Sequence, residues 1–88
     1  MQPVVIYTKP MCPYCVRAMS LLKRKGATYT EICAAFDEAK RKEMIALARG
    51  EATYPQIFIG ATHVGGFNEL EALDQAGRLD ALLEGRMK

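Results

Sequence analysis

The chain has 88 residues, of which half are hydrophobic and a quarter are charged. This length allows one domain with one core, so we expect residues 1–88 to form a single domain. The composition is that of a globular protein and excludes a disordered chain. Its 12 basic and 10 acidic residues give a formal net charge of +2, too small to indicate a nucleic-acid partner.

The first predicted elements are a strand and a helix. Residues 4–7 form a continuous apolar, β-branched run, which is typical of a strand buried on both faces of a sheet. Residues 13–25 carry apolar side chains at helical spacing, and Gly26 supplies the stop. Pro13 suits the first helical position, which makes Cys12 the N-cap. The basic residues at 23–25 are interpreted as the dipole-compensating end of this helix.

The middle of the chain alternates again between strand and helix patterns. Residues 28–32 are rich in β-formers, residues 37–49 have a helical pattern followed by Gly50, and residues 56–59 are predicted to form a third strand. Gly60 and Ala61 suit a two-residue turn, so residues 62–64 are expected to return as an antiparallel edge strand.

Two helices are predicted after this hairpin. Asn68, with Glu71 three residues later, is typical of a capping box, and Gly77 closes the helix that it would begin. The leucines at 79, 82 and 83 predict a short final helix. The pattern is therefore a parallel strand–helix–strand unit followed by a hairpin, with helices for both faces of the sheet.

The amino-terminal residues show no basic segment followed by a long apolar stretch, and no apolar run approaches 18 residues. We therefore expect a soluble, unexported protein. Three cysteines suit a reducing compartment better than a disulfide framework. The expected location is the cytoplasm.

Cys12 and Cys15 form a C-x-x-C pair at the predicted start of the first helix. Disulfide exchange needs a thiolate, whereas an ordinary thiol, with a pKa of about 8.5, is mostly protonated at cellular pH. At the N-cap, the Cys12 sulfur would face the backbone N–H groups of Tyr14 and Cys15 and the positive end of the helix dipole. Lys9 adds positive charge nearby. We predict that Cys12 attacks and that the more buried Cys15 resolves the mixed disulfide.

The same pair would also suit half of a zinc site, with Cys33 and His63 as further ligands. Structural zinc sites normally bring ligands in two close pairs, and these two residues are solitary, so we expect no metal. Cys33 is instead interpreted as a small buried residue at a strand end, and His63 as an exposed position on an edge strand. Met11, Met19 and Met44 are interpreted as packing residues rather than as copper ligands.

Several features occur together in one order: the Cys-Pro-Tyr-Cys tetrapeptide at 12–15 before a helix, Thr-x-Pro at 53–55, and Gly65-Gly66 before another helix. Over almost the whole chain they resemble a dithiol glutaredoxin. The resemblance implies an α/β, thioredoxin-like fold with a central four-stranded mixed sheet flanked by helices, in the order βαβαββα plus a short C-terminal helix. It also implies reduction of protein disulfides and glutathione mixed disulfides, with glutathione as the reductant.

The resemblance further implies where glutathione binds. Pro55 should be cis, which turns the backbone of Tyr54 outward to pair with the glutathione cysteine. Lys9 and Lys42 would meet the glycine carboxylate, and the γ-glutamyl carboxylate would settle on the helix N-terminus that follows the glycine pair. The implied glutathione contacts are Lys9, Tyr14, Lys42, Thr53, Tyr54, Pro55, Gly66, Phe67, Asn68 and Glu69.

Three positions depart from the family's usual pattern. Tyr54 replaces a usual Val and is expected to make the wall beside the sulfur bulkier and more polar. Ala52 stands where Arg is frequent, which removes one charge. Residues 67–69 replace a small residue and an Asp-containing pair, so Glu69 would have to supply the carboxylate for the γ-glutamyl amine. Tyr14 is expected to cover the disulfide with its ring.

Two alternative functions keep the same fold. One is an electron donor recharged by thioredoxin reductase, which Tyr54 and Phe67 suggest. The other is a carrier of an iron–sulfur cluster held between two chains through Cys12, which Pro13 disfavours. The expected partners are glutathione and disulfide-containing or glutathionylated proteins, with ribonucleotide reductase as one candidate client. We expect a monomer that binds neither nucleic acid nor membrane.

Overall fold

A computed structural model of the chain describes residues 1–85; the last three residues of the predicted domain, 86–88, lie outside the described part. The element order is the predicted one. The elements are β1 (Val4–Thr8), α1 (Pro13–Arg24), β2 (Tyr29–Cys33), α2 (Glu38–Leu47), β3 (Gln56–Ile59), β4 (Thr62–Gly65), α3 (Phe67–Gln75) and α4 (Leu79–Leu83).

The strands form one mixed sheet in the order β2-β1-β3-β4. β1 pairs in parallel with β2 and antiparallel with β3, and β4 returns antiparallel to β3. Val4 therefore stands between Tyr29 on one side and Ile59 on the other. The parallel unit and the hairpin predicted from the sequence are confirmed. Because β1 is central, the loop that follows it emerges from the middle of the sheet.

The two faces of the sheet are covered unequally. Val4 and Ile6 of β1 face a large buried cluster, while the alternate residues Val5 and Tyr7 face a small one, as the two-residue period of a strand requires. The small cluster lies under α2 and consists of Tyr7, Ala34 and Met44. The large cluster contains Val4, Ile6, Ala18, Leu21, Leu22, Ala27, Ile57, Ile59, Leu70, Leu79, Leu82 and Leu83. The interior of the protein is therefore mainly the packing of α1, α3 and α4 on one face.

The end of α1 is fixed to the two final helices by an ion-pair network. The Lys25 ammonium lies 2.6 Å from a carboxylate oxygen of Asp74 in α3 and 3.5 Å from one of Asp80 in α4. The hydrogen bond with Asp74 is the main reason that the pKa of Lys25 is raised. Lys25 thus caps the C-terminus of α1 and links it to α3 and α4. This agrees with the interpretation of the basic cluster as a helix end.

Two sequence-based expectations about element ends are wrong. Cys33 is exposed rather than buried, because it ends β2, which is an edge strand of the sheet. The third helix begins at Phe67 with Gly66 as N-cap, two residues before the predicted Asn68. The reason is that the Glu69 carboxylate accepts the backbone N–H of Gly66 at 2.7 Å, which closes the first turn earlier in the chain.

Among residues 1–85, no helix is both long and apolar enough to span a membrane.

Candidate active site

The loop between β1 and α1 places Cys12 at the N-terminus of the helix. Cys12 is the N-cap, with extended backbone angles, and Pro13 follows in the first turn. The Cys12 sulfur accepts the backbone N–H of Cys15 at 3.2 Å. This sulfur therefore satisfies one of the donors that a helix leaves unpaired at its start, which favours negative charge on it. The predicted N-cap is confirmed.

Cys15 lies one turn further along α1 in different surroundings. Its exposed fraction is 2%, against 5% for Cys12, so it is the more buried of the two, as predicted. Burial raises the pKa of the Cys15 thiol to about 12, with a hydrogen bond and negative charge from Cys12 acting in the same direction. The backbone N–H and the ammonium of Lys9 act in the opposite direction. Cys15 is therefore held as a neutral thiol beside Cys12.

A groove of about 260 Å³ opens next to the first turn of α1. It collects eight of the ten residues that the sequence implied for glutathione, from three separate parts of the chain. The Tyr54–Pro55 peptide bond in its wall is cis, as expected. The lining residues are Tyr14, Thr53, Tyr54, Pro55, Gly66, Phe67, Asn68 and Glu69.

Aromatic rings define one side of this groove. The rings of Tyr14, in α1, and Phe67, in α3, have centroids 6.1 Å apart. The Arg17 guanidinium lies 5.6 Å from the centroid of the Tyr14 ring, a distance at which cation and ring attract each other. Tyr14 is half exposed, so its ring stands beside the dithiol and in contact with solvent.

The glycine pair allows the start of α3 to approach the proline loop. Gly65 has φ +115°, a conformation that favours glycine, and a Cβ there would lie 2.9 Å from a Glu69 carboxylate oxygen. A Cβ on Gly66 would lie 3.4 Å from the Pro55 carbonyl oxygen and 3.3 Å from Glu69. The backbone at Gly65 therefore favours glycine, whereas a Cβ at Gly66 would be tight and would require its neighbours to shift slightly. The helix N-terminus, a natural anion site, consequently borders the groove.

A buried network of hydrogen-bonded side chains lies on the Thr53 side of the groove. It was not predicted from the sequence. The Gln56 amide is fully buried; its nitrogen donates to the Thr53 hydroxyl at 3.0 Å, and its oxygen lies 2.7 Å from His63 Nε2. His63 also stacks on Phe58, with ring centroids 4.9 Å apart. It is half-buried, not exposed as expected, because it partners Gln56. The polar Gln56 at the start of the otherwise apolar strand β3 is the sequence feature that could have indicated this network.

The two lysines implied for glutathione lie in different places. Lys9 lies next to the dithiol, where it borders a second groove that both cysteines also line. Lys42 lies on α2, where its ammonium is 3.5 Å from the Glu38 carboxylate. Within the described chain, Lys42 lines neither of the two grooves at the dithiol. The geometry therefore brings Lys9, and not Lys42, to the reactive pair.

Tyr54 lines the groove and also contacts the interior. Its ring packs against the small cluster under α2, which contains Tyr7 and Met44. Its hydroxyl is buried and has no hydrogen-bond partner among the residues that the structure describes. Tyr54 is thus partly accommodated in the interior while it also lines the groove beside the dithiol, and the bulkier, more polar wall stays a prediction.

The methionines divide into packing and exposed residues. Met44 is fully buried and Met19 packs against the large cluster, as expected. Met11 is 99% exposed, so its interpretation as a packing residue is wrong. Its backbone has φ +55°, which turns the side chain of the residue just before Cys12 away from the interior.

The alternative zinc set is not assembled. In residues 1–85, no group of three or more His, Cys, Asp or Glu side chains is arranged to hold a metal ion. His63 is engaged with Gln56, and Cys33 lies at an exposed strand end. The chemistry that the arrangement supports is therefore thiol exchange at the two cysteines of α1.

Comparison with known proteins agrees with this assignment. The family model described as glutaredoxin matches residues 4–64. A glutaredoxin of Pseudomonas aeruginosa is 54% identical over 83 residues, which are 94% of this chain and 98% of that protein. Glutaredoxin 3 of Escherichia coli K12 is 51% identical over 84 residues, covering 96% of this chain and 100% of the relative.

The solution structure of glutaredoxin from Brucella melitensis superposes with a TM-score of 0.86 at 50% identity, covering 100% of this chain and 95% of that one. A dithiol at the start of a helix, beside a cis-proline loop on a four-stranded mixed sheet, defines a thiol–disulfide oxidoreductase of the thioredoxin-like fold. Within that class, the chain belongs to the glutaredoxin family. It is a glutathione-dependent thiol–disulfide oxidoreductase.

Proposed function

We propose that this protein reduces glutathione mixed disulfides and protein disulfides through Cys12, with Cys15 needed only for the dithiol route. The observation that carries the proposal is the Cys12 sulfur at the N-terminus of α1, where it accepts the Cys15 backbone N–H. That hydrogen bond and the helix dipole favour a thiolate, which is the attacking species in disulfide exchange.

In the monothiol route, the Cys12 thiolate attacks the glutathione sulfur of a mixed disulfide. A Cys12–glutathione disulfide forms, and the client leaves as a thiolate that takes a proton from water. A second glutathione thiolate then attacks the glutathione sulfur on Cys12. Oxidised glutathione forms and Cys12 returns to the thiolate. One free glutathione is therefore oxidised for each client thiol released, and the other half of the oxidised glutathione is the one that the client carried.

In the dithiol route, Cys12 first forms a mixed disulfide with one client sulfur and releases the other as a thiolate. Cys12 then carries no negative charge, so the hydrogen bond and charge that help to raise the pKa of Cys15 are lost. Cys15 can then release its proton and attack the Cys12 sulfur. The reduced client leaves, a Cys12–Cys15 disulfide remains, and two glutathione molecules reduce it.

We propose that glutathione lies in the groove between the proline loop and α3. A solved structure of buckwheat glutaredoxin in complex with glutathione supports glutathione as the ligand; it shares 30% identity and a TM-score of 0.84, covering 96% of this chain and 78% of that one. The lining of the groove supports the placement. The γ-glutamyl carboxylate meets the N-terminus of α3, whose dipole attracts anions. The Tyr54 backbone pairs with the cysteine of the tripeptide, and Lys9 meets the glycine carboxylate.

The remaining parts of the glutathione site follow from the same groove. Glu69, already bonded to the Gly66 backbone, faces the γ-glutamyl amine, and the rings of Tyr14 and Phe67 cover the disulfide. Lys42 was also implied by the family resemblance, and it stays a prediction that the ion pair with Glu38 disfavours.

We further propose that the protein acts as a monomer in the cytoplasm on disulfide-containing or glutathionylated proteins, with ribonucleotide reductase as a candidate client. The odd number of cysteines supports a reducing compartment. Light scattering of the reduced protein tests the monomer, and cell fractionation with an antibody tests the location.

The direct test of function is the reduction of a mixed disulfide of glutathione and cysteine by the purified protein. Glutathione with glutathione reductase is one electron source, and thioredoxin reductase is the other. We expect turnover only with glutathione. Turnover supported only by thioredoxin reductase would replace this proposal with the alternative donor, and no turnover with either would reject both.

A further inference from the structure

A second groove, of about 520 Å³, borders the dithiol, and among residues 1–85 its lining differs from that of the groove assigned to glutathione. Lys9, which we propose meets the glycine carboxylate, stands at its edge. Cys12 and Cys15 are both among its lining residues, so a molecule in this groove lies next to the reactive pair. Its other lining side chains are largely apolar. The lining residues are Lys9, Pro10, Met11, Cys12, Pro13, Cys15, Val16, Met19 and Glu31.

Met11 is the most unusual residue of this groove. Its φ of +55° is uncommon for a residue other than glycine. Such conformations persist where the surrounding structure imposes them, and they concentrate at functional sites. Here the result is an apolar side chain that is 99% exposed directly before the nucleophile. Methionine is flexible and polarisable, which suits it to contact varied apolar partners.

The neighbouring positions extend this apolar surface. Val16 follows Cys15 on α1 and is 59% exposed, while Met19, one turn further, is partly buried against the interior. Glu31 of β2 borders the groove with a carboxylate held by the Thr8 hydroxyl, which donates to it at 2.8 Å. The groove thus combines exposed apolar side chains with one fixed acidic group, beside both sulfurs.

We propose that this groove binds the client polypeptide around its cysteine and prefers apolar residues next to that cysteine. The proposal rests on the thiol exchange proposed above, because that reaction requires a client sulfur to be bonded to Cys12. Glutathione is a small polar tripeptide that offers no apolar side chain to Met11 and Val16. A polypeptide linked to Cys12 extends away from its sulfur and brings neighbouring side chains onto this surface.

The substrates for a test are two disulfide-linked peptide dimers that differ only in the residues on either side of the cysteine, leucine in one and serine in the other. Cys12 attacks one peptide sulfur and releases the other peptide as a thiolate. Cys15 then releases the second peptide, and two glutathione molecules reduce the enzyme. With the wild type, we expect kcat/KM to be about fivefold higher for the leucine dimer, as partial burial of apolar side chains predicts.

The decisive variant is Met11→Asn, because asparagine tolerates the left-handed backbone but removes the apolar side chain. We expect the leucine-to-serine ratio of kcat/KM to fall toward one. Val16→Gln, on the exposed side of α1, is a second variant that keeps the helix and should lower the same ratio. Leu47→Asn is the matched control; Leu47 is half exposed at the end of α2, outside this groove, and its loss should leave the ratio unchanged.

Equal kcat/KM values for the two dimers with the wild type would overturn the proposal. So would an unchanged ratio in Val16→Gln and in a Met11→Asn protein whose circular dichroism matches that of the wild type. Reduction of the glutathione–cysteine mixed disulfide, measured in parallel, separates the two levels of the account. If that reaction proceeds without a peptide preference, only the groove assignment fails; if no substrate is reduced, the proposed function fails with it.

Discussion

Two sulfurs lie in the first turn of one helix, three residues apart, and their surroundings differ sharply. Cys12 stands at the N-cap and accepts a backbone N–H. Cys15 lies inside the helix, is almost fully buried, and has a pKa raised to about 12. Since the residue type is the same, position alone makes the difference. One turn of helix is enough to separate a sulfur that accepts a backbone N–H from a buried thiol with a raised pKa.

Removal of the Cys12 sulfur should have the largest effect on exchange activity. A Cys12→Ser protein should lose mixed-disulfide reduction by more than about 1,000-fold, because a serine hydroxyl cannot replace the thiolate nucleophile. The measurement is the glutathione-coupled assay with the glutathione–cysteine substrate. Cys33→Ser is the matched control, since Cys33 is exposed on an edge strand, and it should keep full activity. Substantial activity in Cys12→Ser would show that another thiol attacks.

The second prediction concerns the proton on Cys15. Because burial and Cys12 both raise its pKa, to about 12, the Cys15 thiol is protonated at neutral pH. Replacing Cys12 with alanine removes the contribution of Cys12 and leaves that of burial. In a Cys12→Ala, Cys33→Ser protein, Cys15 should therefore titrate below its wild-type value but above an ordinary thiol. The ultraviolet absorbance of the thiolate, followed against pH, measures this.

The Cys33→Ser protein, which retains both active-site cysteines, is the reference for that titration. An identical Cys15 pKa in the two proteins would mean that Cys12 has no influence on its neighbour, and the two-step activation of Cys15 would have to be abandoned.

Lys9 and Lys42 are expected to differ in their effect on the KM for glutathione. Lys9→Gln should raise the KM for glutathione by about two- to fivefold, the range expected for a partly exposed ion pair, and added salt should reduce the difference from the wild type. Lys42→Gln is the matched control on α2 and should leave the KM unchanged, because Lys42 is not among the described residues that line either groove at the dithiol. The opposite result, an effect only at Lys42, would move the glycine carboxylate to α2.

The smallest effect is expected at Glu69. Glu69→Gln keeps an oxygen that can accept the Gly66 N–H but removes the negative charge. If the carboxylate meets the γ-glutamyl amine, the KM for glutathione should rise by about twofold. A lower KM would show instead that Glu69 repels the γ-glutamyl carboxylate at the start of α3.

The fold was predictable because each element leaves a local signal. The apolar run at β1, the helical spacing of α1 and the Gly60 turn depend only on neighbouring residues, and all were confirmed. The exposure of Cys33 was not predictable in this way. It depends on which strand lies at the sheet edge, and strand order is decided by packing between distant segments.

The candidate site shows the same division. The Cys12 cap and the glycine pair follow from local chemistry, and the sequence identified them. The conformation of Met11 depends on the path of the loop out of β1, and the buried chain from Thr53 through Gln56 to His63 depends on the pairing of β3 with β4. Contacts of this kind become visible only when the chain is folded.

The division of work between Cys12 and Cys15 can be measured in a Cys15→Ser protein. Its activity should be measured on the glutathione–cysteine mixed disulfide and on a peptide disulfide, with mass spectrometry of the enzyme during turnover. We predict that the mixed disulfide is still reduced, that glutathione is found on Cys12, and that reduction of the peptide disulfide through the dithiol route is lost. Equal loss of both activities, with no adduct on Cys12, would contradict the account.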